Sequence, residues 1–137
     1  MEQKHLKILL MDSNPKEARL IREMLHQPGN SWLELRHVEE VPLGLRCLKE
    51  GGIDIVLMDL SILKKPWTES FDEVLEKAQG VPIVILTGME NEEAALDAIS
   101  RGARDYVLKE EVDGDWLVRF VYHTIHQNRI RRQASGP

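Results

Sequence analysis

The sequence holds almost no cysteine, no long apolar run and no excess of basic charge. Cys47 is the only cysteine among 137 residues, which excludes an internal disulfide and a cysteine-built zinc site. It falls on an apolar helical stripe, where a small core residue is the plain reading and a reactive thiol the remote one. No stretch approaches the roughly 20 apolar residues of a membrane span. Met1-Glu2-Gln3-Lys4-His5 lacks the apolar core of a secretory signal. The net charge of -5 speaks against direct binding to nucleic acid, which needs a basic surface. Internal repeats, low-complexity segments and interdomain linkers are also missing. These absences leave one domain, with no membrane role, in a reducing compartment, the cytoplasm.

What is present is a regular alternation of two periodicities. Ile53-Asp54-Ile55-Val56-Leu57-Met58-Asp59 carries a short apolar run that stops on a carboxylate. A run so short and so apolar predicts a strand buried on both faces, in the middle of a parallel sheet. Residues 6–11, 83–86 and 106–108 read the same way, and 32–38 alternates partly as a second strand. Helical stripes lie between them. The first has Ala18, Ile21 and Leu25, with Leu20 and Met24 beside them. A second, over 41–49, buries Leu43 or Gly44, Leu45 and Leu48. Phe71, Val74, Leu75 and Ala78 mark a third helix, and Ala94, Ala95, Ala98 and Ile99 a fourth over 92–100. Trp116, Leu117, Phe120, Val121, Thr124 and Ile125 mark a long fifth helix that fades into Arg129-Ile130-Arg131-Arg132.

Punctuation agrees with this. Pro15 suits a first helical turn, with Ser13 or Asn14 as its cap. Pro28-Gly29-Asn30, Gly51-Gly52 and Gly102 close helices. Residues 61–69, with Lys64-Lys65-Pro66-Trp67, read as a loop. Five strands alternating with five helices predict an α/β fold, a doubly wound (βα)5 five-stranded parallel sheet. The single domain has a core over about 6–129, and 130–137 is a tail or the start of a linker. Ala134-Ser135-Gly136-Pro137 reads as a frayed end, either of a stand-alone domain or where a longer protein was cut.

Four strands end on a polar residue: Asp12, Asp59, Thr87 and Lys109. The alternation brings those ends to one edge of the sheet, where open α/β folds bind their ligands. Two carboxylates, a hydroxyl and an amine together suit phosphoryl transfer. Asp12 helps hold Mg²⁺, a hard ion that wants oxygen ligands, and Asp59 is the nucleophile that becomes an aspartyl phosphate. Thr87 and Lys109 each take a phosphoryl oxygen. Every member also has a plainer reading. Asp12 caps the first helix, Asp59 caps its strand end, Thr87 turns the chain and Lys109 is a solvated edge residue. Tyr106 is half-buried core. Asp54, at the opposite end of the third strand, serves as a control for Asp59.

Taken together, Lys7-Ile8-Leu9-Leu10-Met11-Asp12, Asp54 to Leu60, Val81 to Gly88 and Gly102 to Lys109 resemble the receiver domain of two-component response regulators, over about 6–129. The resemblance implies a flavodoxin-like (CheY-like) fold and a phosphoryl group passed to Asp59 from a histidine kinase or phosphotransfer protein. It implies a Mg²⁺ shell from Asp12, Asp59 and the backbone carbonyl of Ser61. Thr87 and Tyr106 become the pair whose coupled movement reports phosphorylation, and Gly88 leaves room for the phosphoryl group. Any catalysis is limited to the chain's own phosphorylation and dephosphorylation.

Three departures from the family pattern stand out. Ser13 replaces the second acidic residue, so Mg²⁺ binding is expected to be weak, with water, Asn14 or Ser13 itself filling the gap. The proline common soon after the acceptor is absent, and Leu63-Lys64-Lys65 predicts a mobile loop. Glu110 stands where a proline usually follows the lysine, which predicts no cis bond there. The face made by the fourth helix, fifth strand and fifth helix is the expected contact for a downstream protein, a fused output domain or a second copy. Arg129, Arg131 and Arg132 read as a solvated helix end, or as a linker helix or dimer coil. His123 and His126 read as exposed positions and not as a metal pair. Two other classes remain: a degenerate receiver acting as a phosphorylation-independent interaction module, and a flavodoxin-like enzyme or carrier. The second lacks a glycine-rich phosphate loop after the first strand.

Overall fold

Each apolar run of about five residues is followed by a crossover long enough to carry a helix, and such connections join only parallel strands. The computed structural model describes residues 5–29 and 32–134. The expectations placed on Met1 to Lys4, Asn30 and Ser135 to Pro137 lie outside the described residues. The elements are β1 (Leu6–Met11), α1 (Pro15–Leu25), β2 (Leu33–Val38), α2 (Val41–Glu50), β3 (Ile55–Asp59), α3 (Trp67–Ala78), β4 (Ile83–Thr87), α4 (Glu92–Arg101), β5 (Asp105–Leu108) and α5 (Gly114–Ala134). Every strand pair is parallel, in the order β2-β1-β3-β4-β5. This is the doubly wound, flavodoxin-like order, and its direction reverses between β1 and β3.

Because successive strand residues face opposite sides, one sheet serves two cores. Ile8, Leu10, Ile55, Leu57, Val84, Leu86 and Val107 pack against α1 and α5. Leu9, Met11, Val56, Met58, Ile83 and Ile85 pack against α2, α3 and α4. Cys47 is buried in this second core as a free thiol. Gly44 lets α2 approach closely, since a Cβ there would collide with the end of the fully buried Met11 side chain.

The stretch read as a loop is more ordered than expected. Leu60–Ile62 forms a 3-10 turn, Ile62 and Leu63 are buried, and α3 begins already at Trp67. That apolar pair, next to two exposed lysines, anchors the segment in the core under α2, α3 and α4. Among the described residues the only cis peptide is Lys65–Pro66, so the bond after Lys109 is trans, as expected. Leu20 and Leu43 are exposed, leaving Gly44, Cys47 and Leu48 as the buried stripe of α2. The last helix continues past Arg129 to Ala134, so residues 130–134 are helix rather than tail. Arg129 itself is tied back to Asp54 at 2.9 Å, and the Arg132 guanidinium lies against Gly80. His123 and His126 are exposed, and His126 stacks on Tyr122. No helix among the described residues is long and apolar enough to cross a membrane.

Candidate functional site

The parity that divides the core also divides the polar residues at the carboxyl edge. Asp59 is the last residue of β3, in phase with Ile55 and Leu57, whereas Asp12 and Lys109 directly follow the last residues of β1 and β5. Thr87 continues the Ile83–Ile85 set toward α4, and Tyr106 packs on that same side. Asp59, Thr87 and Lys109 nevertheless line one cleft at the carboxyl edge.

Asp59 ends β3 and is buried. Its Oδ1 accepts the Ser61 backbone N–H at 2.8 Å, and its Oδ2 accepts from the Lys109 ammonium. Burial pushes this carboxyl up, but the bonds from Lys109 and Ser61 outweigh it and hold Asp59 below the usual carboxylate range. Lys109, in the 3-10 turn after β5, also pairs with Glu17 of α1. Burial works to lower its ammonium, and the two carboxylates more than offset that, so it stays protonated.

Asp12 is fully buried. Its Oδ1 accepts the Asn14 N–H at 2.9 Å, whereas Oδ2 has no hydrogen-bond partner. Burial, reinforced by the charge of Asp59, raises its carboxyl above the usual range despite the Asn14 bond. His37, on β2, donates from Nε2 to the Asp12 carbonyl at 2.8 Å and fixes the loop from behind. A carbonyl can only accept, so Nε2 carries the proton.

Asn14, not Asp12 or Ser13, caps α1: its Oδ1 accepts from Lys16 N at 2.9 Å and from Glu17 N at 3.3 Å. Its amide oxygen is thus committed to the helix. The Ser13 hydroxyl is 3.3 Å from that of Ser61. Carboxylate oxygens of Asp12, Glu17 and Asp59 all lie within 4.8 Å of one another. Burial pushes the Glu17 carboxyl up to about 7, with the charge of Asp12 adding to it and Lys109 opposing it. A buried carboxylate oxygen without a donor, set among other carboxylates, is a donor set for a hard divalent cation.

The Thr87 hydroxyl donates to the Gly88 carbonyl at 3.1 Å. Tyr106, half-buried, donates from its hydroxyl to Glu92 Oε2 on α4 at 2.5 Å. Glu92 chiefly, through this bond, holds the phenol above its ordinary value. Beside Gly88 the space that a side chain would fill is taken by the Glu90 carboxylate. A cleft of about 560 Å³ is lined by Glu17, Asp59, Ser61, Thr87, Glu90 and Lys109. Asp54 behaves quite differently. Its Oδ2 accepts the Lys7 N–H at 2.8 Å and its Oδ1 pairs with Arg129, a structural tie at the far end of the same strand.

Asp12, Asp59 and Lys109 therefore meet, with Thr87 lining the same cleft and Tyr106 held apart on Glu92. Glu17, His37 and Glu92 escaped the sequence reading. Glu17 sits three residues after the Asn14 cap, the position of a capping-box glutamate, so its sequence signal is that of a helix start. His37 and Glu92 lie on polar positions of a strand and a helix, and nothing in their spacing marks them.

The chain is 27% identical over 128 residues to the transcriptional regulatory protein GlrR of Escherichia coli K12, covering 93% of this chain and 28% of that protein. It is 29% identical over 139 residues to the DNA-binding response regulator MtrA of Mycolicibacterium smegmatis, covering all of this chain and 56% of that one. Thus it spans about a quarter to a half of these two relatives. A crystal structure of a response regulator receiver domain protein from Clostridium thermocellum superposes with a TM-score of 0.75, at 24% identity, over 91% of this chain and 98% of that one. The response regulator receiver domain family matches residues 8–120, and the chain belongs to that family.

Proposed function

We propose that the chain is a phospho-accepting receiver whose Asp59 takes a phosphoryl group from the phosphohistidine of a histidine kinase or phosphotransfer protein. The observation that carries this reading is the meeting of Asp59, Asp12 and Lys109 at the carboxyl edge of the sheet, with Asp59 ionised. An Asp59 carboxylate oxygen attacks phosphorus as the phosphorus–nitrogen bond breaks, and the electron pair leaves on the imidazole nitrogen. Lys109 passes from the carboxylate to a phosphoryl oxygen, and the Thr87 hydroxyl turns from the Gly88 carbonyl to another. Asp12, Asp59 and the Ser61 carbonyl would hold Mg²⁺, which when bound would neutralise charge on the transferring group. The unpartnered Asp12 Oδ2 supports that fit.

Phosphorylation replaces one negative charge by about two and adds acceptor oxygens. When Thr87 moves toward them, the space it leaves admits Tyr106, which gives up Glu92 and reshapes the face of α4, β5 and α5. That face then meets a downstream protein, a second copy or an output domain. A transcription-regulating output fits the named roles of GlrR and MtrA, with the kinase contact made in the cytoplasm.

The test is incubation with acetyl phosphate and Mg²⁺, read by intact mass. A hydroxylamine-labile gain of one phosphoryl group, absent in Asp59→Asn, is the expected result. No gain under saturating metal overturns the reading in favour of a phosphorylation-independent interaction module, a role consistent with Ser13 and with the Glu17 clamp on Lys109.

A further inference from the structure

We infer that Glu17 is a side-chain ligand of the divalent-cation site, supplying from α1 the carboxylate that Ser13 lacks. This rests on the reading of Asp12 and Asp59 as metal-site residues. Three observations carry it. The carboxylate oxygens of Asp12, Glu17 and Asp59 cluster within 4.8 Å. Asp12 Oδ2, in a fully buried residue, has no hydrogen-bond partner. The other polar groups near the gap are engaged elsewhere: the Ser13 hydroxyl faces Ser61, and the Asn14 amide oxygen caps α1.

Local hydrogen bonding explains why Glu17 is available. In a capping box the glutamate three residues after the cap reaches back to the cap's own N–H. Here Asp12 Oδ1 has already taken that Asn14 N–H, so the Glu17 side chain turns into the cleft instead. There it meets Lys109. Three carboxylates against one ammonium leave two formal negative charges, the charge of one divalent cation. A cation bound by Asp12, Glu17 and Asp59 draws Glu17 away from Lys109 and frees the ammonium for the phosphoryl group. The competing view is that Glu17 is a counterion to Lys109 and nothing more.

Calorimetric titration of the metal-stripped chain with MgCl₂ and MnCl₂ separates the two. Glu17→Gln keeps a carbonyl oxygen for Lys109 and is checked for folding by circular dichroism. It is expected to weaken divalent binding at least about tenfold, the scale of losing a group that supports a metal site. Adding Ser13→Asp to Glu17→Gln is expected to restore affinity, and by more than Ser13→Asp gains in the wild type. If Glu17→Gln binds like the wild type while Asp59→Asn does not, the inference falls and the Asp12–Asp59 reading stands. If the wild type binds neither ion at millimolar concentration, both fall.

Discussion

Asp12 keeps one carboxylate oxygen buried without a donor, a state that costs roughly 1–3 kcal/mol unless a cation or a proton relieves it. Asp12→Asn removes that charge and lets an amide N–H face the neighbouring carboxylates. It is expected to stabilise the metal-free chain by about 1 kcal/mol, read by thermal denaturation in chelator, while any stabilisation by Mg²⁺ disappears. The sign with pH follows from the raised Asp12 carboxyl. The native state holds this proton more tightly than the unfolded chain, so Asp12 costs stability as pH rises through and above the ordinary carboxylate range. The advantage of asparagine should therefore be smallest in acid and grow toward neutrality. An asparagine variant less stable than the wild type at every pH would contradict the account. Strand-end residues such as Asp12, Asp59, Thr87 and Lys109 were legible because an apolar run that stops on a polar group announces its own edge. Glu17 was not, because a helix surface offers the same glutamate for capping, pairing or nothing.

At the scale of elements, β3 offers its own control. Both of its ends carry an aspartate, yet Asp54 ties Lys7 and Arg129 while Asp59 faces the cleft. Asp54→Ala removes the acceptor of a backbone N–H and should cost about 1 kcal/mol. Arg129→Ala removes only a half-exposed ion pair and should cost under about 0.5 kcal/mol. Neither should change phosphorylation of Asp59, as read by denaturant melts and intact mass. On the α4 side, Thr87→Ala is expected to leave Asp59 modifiable but to abolish the response of any partner that binds the α4–β5–α5 face. Glu92→Gln weakens the hold on Tyr106 and should shift the tyrosine's aromatic NMR signals toward those of the phosphorylated form before any phosphodonor is added. Signals unmoved by Glu92→Gln would show that this bond does not hold the switch. The segment after β3 shows where element reading slips: 63–66 is a loop as read from Lys64 and Lys65, but the 3-10 turn of Leu60–Ile62 and the start of α3 at Trp67 take its two ends.

Over the whole molecule, the strands and helices follow from two periodicities, because a sheet covered on both faces needs unbroken apolar runs and each helix needs one apolar stripe. Ile55 to Met58 and Ile83 to Leu86 were legible for that reason. The strand order was less legible: the run lengths require parallel strands, but which strand neighbours which is settled by long-range packing. That order sets β1 beside β3 and so brings Asp12 to Asp59. The most direct measurement is borohydride reduction of the chain after exposure to acetyl phosphate and Mg²⁺, followed by peptide sequencing in a mass spectrometer. Borohydride turns an aspartyl phosphate into homoserine. The account predicts homoserine at position 59 and at no other aspartate, Asp12 and Asp54 included; an unmodified Asp59, or homoserine elsewhere in its place, would contradict it.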